Sequence, residues 1–235
     1  MTSFSRRDFS DGAKLAPAFA KWTAEKLTAA IAARGAALLV VSGGTTPQRY
    51  FQALSALPID WSRVAVTLAD ERRVTEDSPR SNARLVRETL LQGPAAAASF
   101  APLADSRLDG DQELAAANAR IAALPKPADL VVLGMGEDGH TASWFPGAEG
   151  LADAINPAAR SLVMPISAPG APEPRLTLTA RAILRARAIA LQIEGPAKLA
   201  TLDKALADGP TEAMPIRAVL RGASDRLTIF AAASS

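Results

Sequence analysis

Short apolar runs and longer amphipathic stretches alternate along the chain. Ala36–Val41 is an unbroken apolar run, and Arg63–Leu68, Leu130–Leu133, Ser161–Ile166, Ala188–Ile193 and Arg226–Ala231 are further runs of strand length. Apolar runs this short, bounded by turn signals and rich in β-branched residues, predict buried strands. Between them lie predicted helices: Asp11–Ala33, Pro47 to about Ala56, Asn82–Leu91, Asp111–Leu124, Ala180–Arg187, a stretch from Glu194 to about Ala207, and Pro215–Arg221. Thr46, Ser81 and Thr179 stand where helix caps are expected, with Pro47 suited to a first helical position. Gln92–Ala104 and Ser167–Pro174 are rich in Ala, Pro and Gly and are expected to be loops. Strands alternating with helices predict an α/β fold, a mostly parallel sheet with helices on both faces. The whole chain, 1–235, is expected to form a single domain.

Three of the predicted strands end in polar clusters. The first exit is Ser42-Gly43-Gly44-Thr45-Thr46-Pro47. A strand, a Gly-Gly turn and a helix start present free N–H groups and the positive end of a helix dipole, which favour phosphate. A plain βα turn needs one glycine at most, so two glycines flanked by hydroxyls favour the anion site. It is not a Walker loop, because no Gly-Lys-Ser/Thr follows. The second exit is Asp70-Glu71-Arg72-Arg73. Asp70 and Arg72 share a face if the strand geometry persists, and arginine suits planar oxyanions. The third exit is Gly134-Met135-Gly136-Glu137-Asp138-Gly139-His140. A carboxylate two residues before a histidine can hold one ring nitrogen and leave the other free. The run formally matches the dinucleotide fingerprint, but Pro146-Gly147 ends any following helix and two acids would repel a pyrophosphate. If the strands are parallel neighbours, the three exits meet at one edge, where open α/β sheets bind ligands.

Composition narrows the function classes. Of 235 residues, 49% are hydrophobic and 21% charged, as in an ordinary globular protein. A net charge of +2 without a basic block gives no footprint for nucleic acid. There are no cysteines and one histidine, so disulfides, thiolate chemistry and a metal site are not expected. Ser5-Arg6-Arg7-Asp8-Phe9 imitates a twin-arginine export signal, but charged residues at helical spacing follow where an apolar stretch is required. No apolar run is long enough for a membrane span. The expected setting is the cytoplasm. Lys198, in the first turn of its helix, opposes the helix dipole unless an anion binds beside it.

Ser-Gly-Gly-Thr-Thr-Pro, Asp-Glu-Arg-Arg-Val with Ser81-Asn82 downstream, and Gly-Met-Gly-Glu-Asp-Gly-His-Thr-Ala-Ser-Trp-Phe-Pro-Gly occur here in one order. With Arg175–Thr179, Gly195–Lys198 and Met214–Ala218, they resemble the 6-phosphogluconolactonases over about residues 12 to 231. The resemblance implies a three-layer, Rossmann-like α/β sandwich. It implies hydrolysis of 6-phosphoglucono-1,5-lactone to 6-phosphogluconate in the pentose phosphate pathway, without a cofactor. On this reading His140 activates water, Asp138 orients the imidazole and Arg72 stabilises the oxyanion. Ser42, Gly43, Gly44, Thr45 and Lys198 hold the phosphate, joined by Arg175, and Asp70 orients Arg72 or a sugar hydroxyl. The expected partner is the small-molecule lactone, with no nucleic acid and no membrane, and the chain is expected as a monomer with a dimer as the alternative. Glucosamine-6-phosphate deaminases, in the same superfamily, carry Asn-Glu-Pro-Gly where this chain has Trp144-Phe145-Pro146-Gly147. Phe145 therefore stands where ring opening needs an acid. A non-catalytic sugar-phosphate sensor on the same fold is the other alternative.

Overall fold

The computed structural model describes residues 4–169 and 171–234. In chain order the elements are β1 (Ser5–Phe9), α1 (Gly12–Arg34), β2 (Ala37–Val41), α2 (Gln48–Ser55), β3 (Val64–Leu68), β4 (Asp70–Arg72), α3 (Asn82–Thr89), β5 (Ser99–Ala101) and α4 (Gly110–Ala123). They continue as β6 (Leu130–Leu133), α5 (Leu151–Ala154), β7 (Val163–Ile166), β8 (Arg175–Leu178), α6 (Ala180–Ile183), β9 (Ile189–Glu194), α7 (Pro196–Leu206), α8 (Ile216–Gly222) and β10 (Leu227–Ala232).

Seven strands pair in the order β1-β10-β9-β6-β2-β3-β5, every neighbour parallel. Their apolar sequences follow from burial on both sides; every residue of β2, β3, β6, β9 and β10 is buried. Right-handed crossovers place α1, α2 and α3 on one face and α4, α7 and α8 on the other. The packing of α1 on α2, α2 on α3, and α7 on α8 agrees. Beneath α1, the rings of Phe19 and Tyr50 stack with centroids 4.1 Å apart, and Phe19 stacks on Phe230 at 4.3 Å. This is the expected α/β sandwich.

The order of strands also fixes where the chain opens. From β2 the chain runs outward to β3 and β5; from β6 it runs the other way to β9 and β10. The two connections part at the carboxyl ends of β2 and β6, which is the crevice such sheets use for ligands. β3 lies on the far side of β2, so all three polar exits are adjacent.

The structure departs from the pattern-based reading in several places. β1, in the stretch that imitates an export signal, is an edge strand paired to β10; its residues are mostly exposed, so no apolar run announced it. Gln92–Ala104 is not only loop: it holds a 3-10 turn, Gly93–Ala97, and strand β5. The run Ser161–Ile166 contributes β7 to a second, antiparallel sheet, β4-β8-β7, rather than to the central one. The Ser167–Pro174 loop spans Gly170, which lies outside the described residues. Ser81 caps α3 as expected, its Oγ accepting from the Arg84 N–H at 3.1 Å. Thr46 does not cap α2: that helix starts at Gln48 and has no side-chain cap. Thr179 precedes α6 but spends its hydroxyl on the Ser161 carbonyl, 2.9 Å away.

At the opposite edge of the sheet Asp129 ties the layers together. Its buried carboxylate accepts from the Leu38 N–H at 2.8 Å and from the Arg34 guanidinium at 2.5 Å. Truncation strands a buried N–H at the start of β2 and releases the end of α1. We expect Asp129→Ala to lower stability by about 2–4 kcal/mol in urea unfolding. A loss below about 0.5 kcal/mol, the level of an ordinary surface substitution, would remove Asp129 from the architecture.

Candidate active site

The first exit forms one wall. After β2, the Ser42 N–H donates to the Val132 carbonyl at 3.0 Å, so the loop starts stitched to β6. Gly44 has φ +97°, a left-handed backbone that favours glycine. Gly43 is a glycine for a different reason: a Cβ there would stand 1.9 Å from the Asn82 side-chain oxygen. Lys198, in the first turn of α7, donates to the Thr46 hydroxyl at 3.3 Å. α7 has no acidic residue in its first turn. A cation at the positive end of a helix is unfavourable unless something negative joins it.

The second exit supplies the cationic wall. β4 keeps the pleat, so Asp70 and Arg72 face the cleft while Glu71 points away. Glu71 is buried and accepts the N–H groups of Asn82 and Ala83 at 2.8 and 2.7 Å, anchoring β4 to the start of α3. Burial pushes its carboxyl up in spite of these bonds. Asp70 does not hold Arg72. Its Oδ2 accepts from the Ser143 hydroxyl at 2.6 Å and lies 3.8 Å from Arg175. Arg72 donates instead to the Arg80 carbonyl at 2.7 Å and to Asn82 Oδ1 at 3.0 Å. In the β4–β8 register Arg72 stands directly opposite Arg175. Like charges facing across strands destabilise a sheet. Burial lowers the Arg175 pKa, and Nε of both arginines has no hydrogen-bond partner among the described residues.

The third exit carries the histidine. Gly134 to His140 folds into a tight turn in which the Gly136 N–H meets the His140 carbonyl at 2.9 Å. Gly139 has φ +81°. His140 Nδ1 lies 2.5 Å from Asp138 Oδ1, and the His140 backbone N–H donates to the same oxygen at 3.1 Å. Burial pushes the Asp138 carboxyl up, but these His140 hydrogen bonds outweigh it and hold the group below the usual carboxylate range. An ionised carboxylate only accepts, so in the neutral ring Nδ1 carries the proton and Nε2 the lone pair. The imidazole side chain is 30% exposed, open to a reactant. Phe145 packs against it with ring centroids 4.3 Å apart, and the Arg175 guanidinium lies 5.1 Å from the Phe145 ring centre. Ala142, at φ +49°, holds a strained backbone in the turn that follows.

One cleft of about 230 Å³ is lined by Ser42, Gly43, Gly44, Thr45, Asp70, Arg72, His140, Arg175 and Lys198. Asp138 stands behind His140 rather than on the wall. All the candidate residues are thus brought together. Of the further side chains on the wall, Gln192 escaped the sequence reading, while Thr46 entered it as a helix cap at the end of the first exit. Asn82 was visible only as part of a motif; its role, bonding the Asp70 carbonyl at 2.8 Å and Arg72 at once, depends on tertiary contacts. Among the described residues no group of His, Asp or Glu is placed to hold a metal ion, and no helix is long and apolar enough to cross a membrane.

The family model for glucosamine-6-phosphate isomerases/6-phosphogluconolactonase matches residues 10–229. The chain belongs to this family. A Mesorhizobium japonicum protein named 6-phosphogluconolactonase is 50% identical over 228 residues, covering 97% of this chain and 95% of its own. A Pseudomonas aeruginosa protein of the same name is 45% identical, with 91% and 90% covered. The crystal structure of a 6-phosphogluconolactonase from Shewanella baltica superposes with a TM-score of 0.94 at 42% identity, covering 99% of this chain and 98% of that one. The Rossmann-like sandwich implied by the sequence is therefore the fold of this branch of the family.

Within this member of the family Gly136 leaves the room that the His140 ring occupies. A Cβ there would stand 2.2 Å from two atoms of the His140 ring and 2.6 Å from Asp138 Oδ1. Gly136→Ala is expected to fold, with the imidazole displaced and turnover reduced about 10²-fold or more, as an ångström-scale misplacement implies. Assay and thermal melting on one preparation check this. Turnover within a factor of two of the parent would mean that the ring position is not set there.

Proposed function

We propose that this chain hydrolyses 6-phosphoglucono-1,5-lactone to 6-phosphogluconate, the lactone step of the oxidative pentose phosphate pathway, with His140 as general base. The observation that carries the reading is a single cleft holding an Asp-oriented imidazole, a facing pair of arginines and a glycine-rich, lysine-flanked loop. Relatives named for this activity, at 45–50% identity, support it.

The phosphate sits on the Ser42 to Thr45 turn, where N–H groups, hydroxyls and Lys198 converge. Its charge relieves the unfavourable placement of Lys198 at the start of α7. His140 Nε2 takes a proton from water, and the water oxygen attacks C1 of the lactone. Asp138 steadies the imidazolium that forms. The oxyanion of the tetrahedral intermediate lies against Arg72, whose repulsion with Arg175 is offset by the incoming negative charge. The intermediate collapses as the bond from C1 to the ring oxygen breaks, and His140 returns its proton to that oxygen. The products are the carboxylic acid and the freed hydroxyl. No cofactor enters the scheme. Zero cysteines fit a reducing cytosol, the compartment we assign.

The isomerase chemistry of the wider family is not favoured. Opening an aminosugar ring calls for an acid where this chain places Phe145, packed on His140. A lactone carbonyl is already electrophilic and needs only an activated water. The sensor alternative leaves the ordered Asp138–His140 pair without a task.

His140→Ala is expected to lower kcat about 10²–10⁴-fold, the usual contribution of a positioned base, while competitive inhibition by inorganic phosphate is unchanged. The assay must subtract spontaneous lactone hydrolysis. Equal losses in phosphate affinity and kcat would argue against a base. Lys198→Ala is expected to raise KM about 10–100-fold with kcat little altered, the signature of a charge-assisted bond made equally before and during reaction. An unchanged KM would take Lys198 out of the phosphate site.

A further inference from the structure

Most side chains of the cleft donate hydrogen bonds. Arg72, Arg175 and Lys198 are donors only, and the glycine turn offers N–H groups. Of the acceptors, Asp70 Oδ2 takes the Ser143 hydroxyl and lies beside Arg175, and Asn82 Oδ1 takes Arg72. A sugar lactone brings hydroxyls that must themselves donate. Gln192, on β9, adds a neutral amide acceptor to the wall. Its Nε2 donates to Glu194 Oε1 at 2.7 Å and makes a longer contact, 3.4 Å, with the Thr46 carbonyl. Its Oε1 has no partner among the described residues and is not sealed from solvent, although the residue is only 2% exposed. Gln192 lines the cleft.

An amide can flip, so something must decide which end faces the cleft. Glu194 does so. It is 9% exposed and sits against the first turn of α1, where a Cβ on Gly12 would stand 2.4 Å from its Oε2. A carboxylate accepts only, so it holds the NH₂ end of Gln192 and turns the carbonyl outward.

We propose that Gln192 is a specificity-determining residue whose Oε1 accepts a hydrogen bond from a ring hydroxyl of the sugar phosphate, and that Glu194 is the positioning residue that fixes its amide. The assignment rests on the lactonase reading. A neutral acceptor suits this place, because a second carboxylate beside Lys198 would compete with the phosphate. The Thr46 contact also allows a simpler role, a strut under the phosphate turn, and the experiment separates the two.

The test compares the parent, Gln192→Met and Glu194→Gln on 6-phosphogluconolactone and on its 2-, 3- and 4-deoxy analogues, with inorganic phosphate as competitive inhibitor and thermal melting as a folding control. For the full substrate, Gln192→Met is expected to raise KM about 10–100-fold, the loss expected when a hydroxyl faces no acceptor. For one deoxy analogue the parent loses as much, and the substitution then adds less than about twofold. Phosphate inhibition stays constant. Glu194→Gln, which keeps the volume but lets the amide flip, shows the same pattern at about 3–10-fold and carries the test if Gln192→Met does not fold. Parallel losses on all four lactones, or a phosphate affinity that falls with KM, would overturn the proposal and leave the strut. No turnover of any lactone by the parent would instead overturn the lactonase reading itself.

Discussion

The parting of the chain between β2 and β6 is the constraint on which the rest of this molecule depends. Right-handed crossovers oblige the connection from β2 to cover one face and the connection from β6 to cover the other. Neither can then cover the carboxyl ends of these two strands. What remains is a crevice floored by strand ends, with backbone groups that no sheet neighbour satisfies. The Ser42–Val132 bond closes the first of them. The turns beyond it, one from each strand, face each other across the gap. A phosphate-sized anion and an imidazole can share a small space here because the fold brings two unrelated turns to one edge.

Electrostatics in the crevice runs against stability. Arg72 and Arg175 face each other across β4 and β8, and Lys198 stands at the wrong end of its helix for a cation. The surroundings over-determine these placements. Glu71 and Asn82 lock β4 onto α3, and Ser143 with the Trp144 indole, which donates to the Leu178 carbonyl at 2.9 Å, clips the histidine turn to the second sheet. A site assembled this way is preorganised for negative charge, so in the proposed reaction little reorganisation is needed as the oxyanion forms.

How much of this could be read from residues alone follows the range of the interactions. The central strands were legible because burial on both faces leaves an unbroken apolar run, as in Ala-Leu-Leu-Val-Val. The exits were legible because glycines and charges end those runs abruptly. β1 and β5 were not: β1 is an exposed edge, and β5 has three residues in an Ala-rich stretch. The second sheet was missed because its strands are short and one, Asp70–Arg72, is polar. The pairing of Asp70 with Ser143 and Arg175 rather than Arg72 could not be foreseen either, since the partners lie 73 and 105 residues away in sequence. Gln192 looks like any polar residue in a strand until Glu194 and Thr46 are seen beside it. Local signals picked out residues that share one cleft; the hydrogen bonds that orient its side chains are long-range.

Phe145 shows how one such contact bears on chemistry. The imidazole has two nitrogens, and Asp138 engages one. If a hydrogen-bonding residue flanked the ring, Nε2 would have a second partner and its lone pair would be committed before water arrived. An aromatic ring packs against His140 without offering such a partner, which in the proposed reaction leaves Nε2 to water. The same ring lies under the Arg175 guanidinium, whose charge is attracted to the aromatic face. Phe145 thus packs against both the His140 ring and the Arg175 guanidinium. An acid there would serve ring opening but would compete for both neighbours. In the proposed reaction, on a carbonyl that is already activated, the apolar choice is the one that keeps the proposed base free.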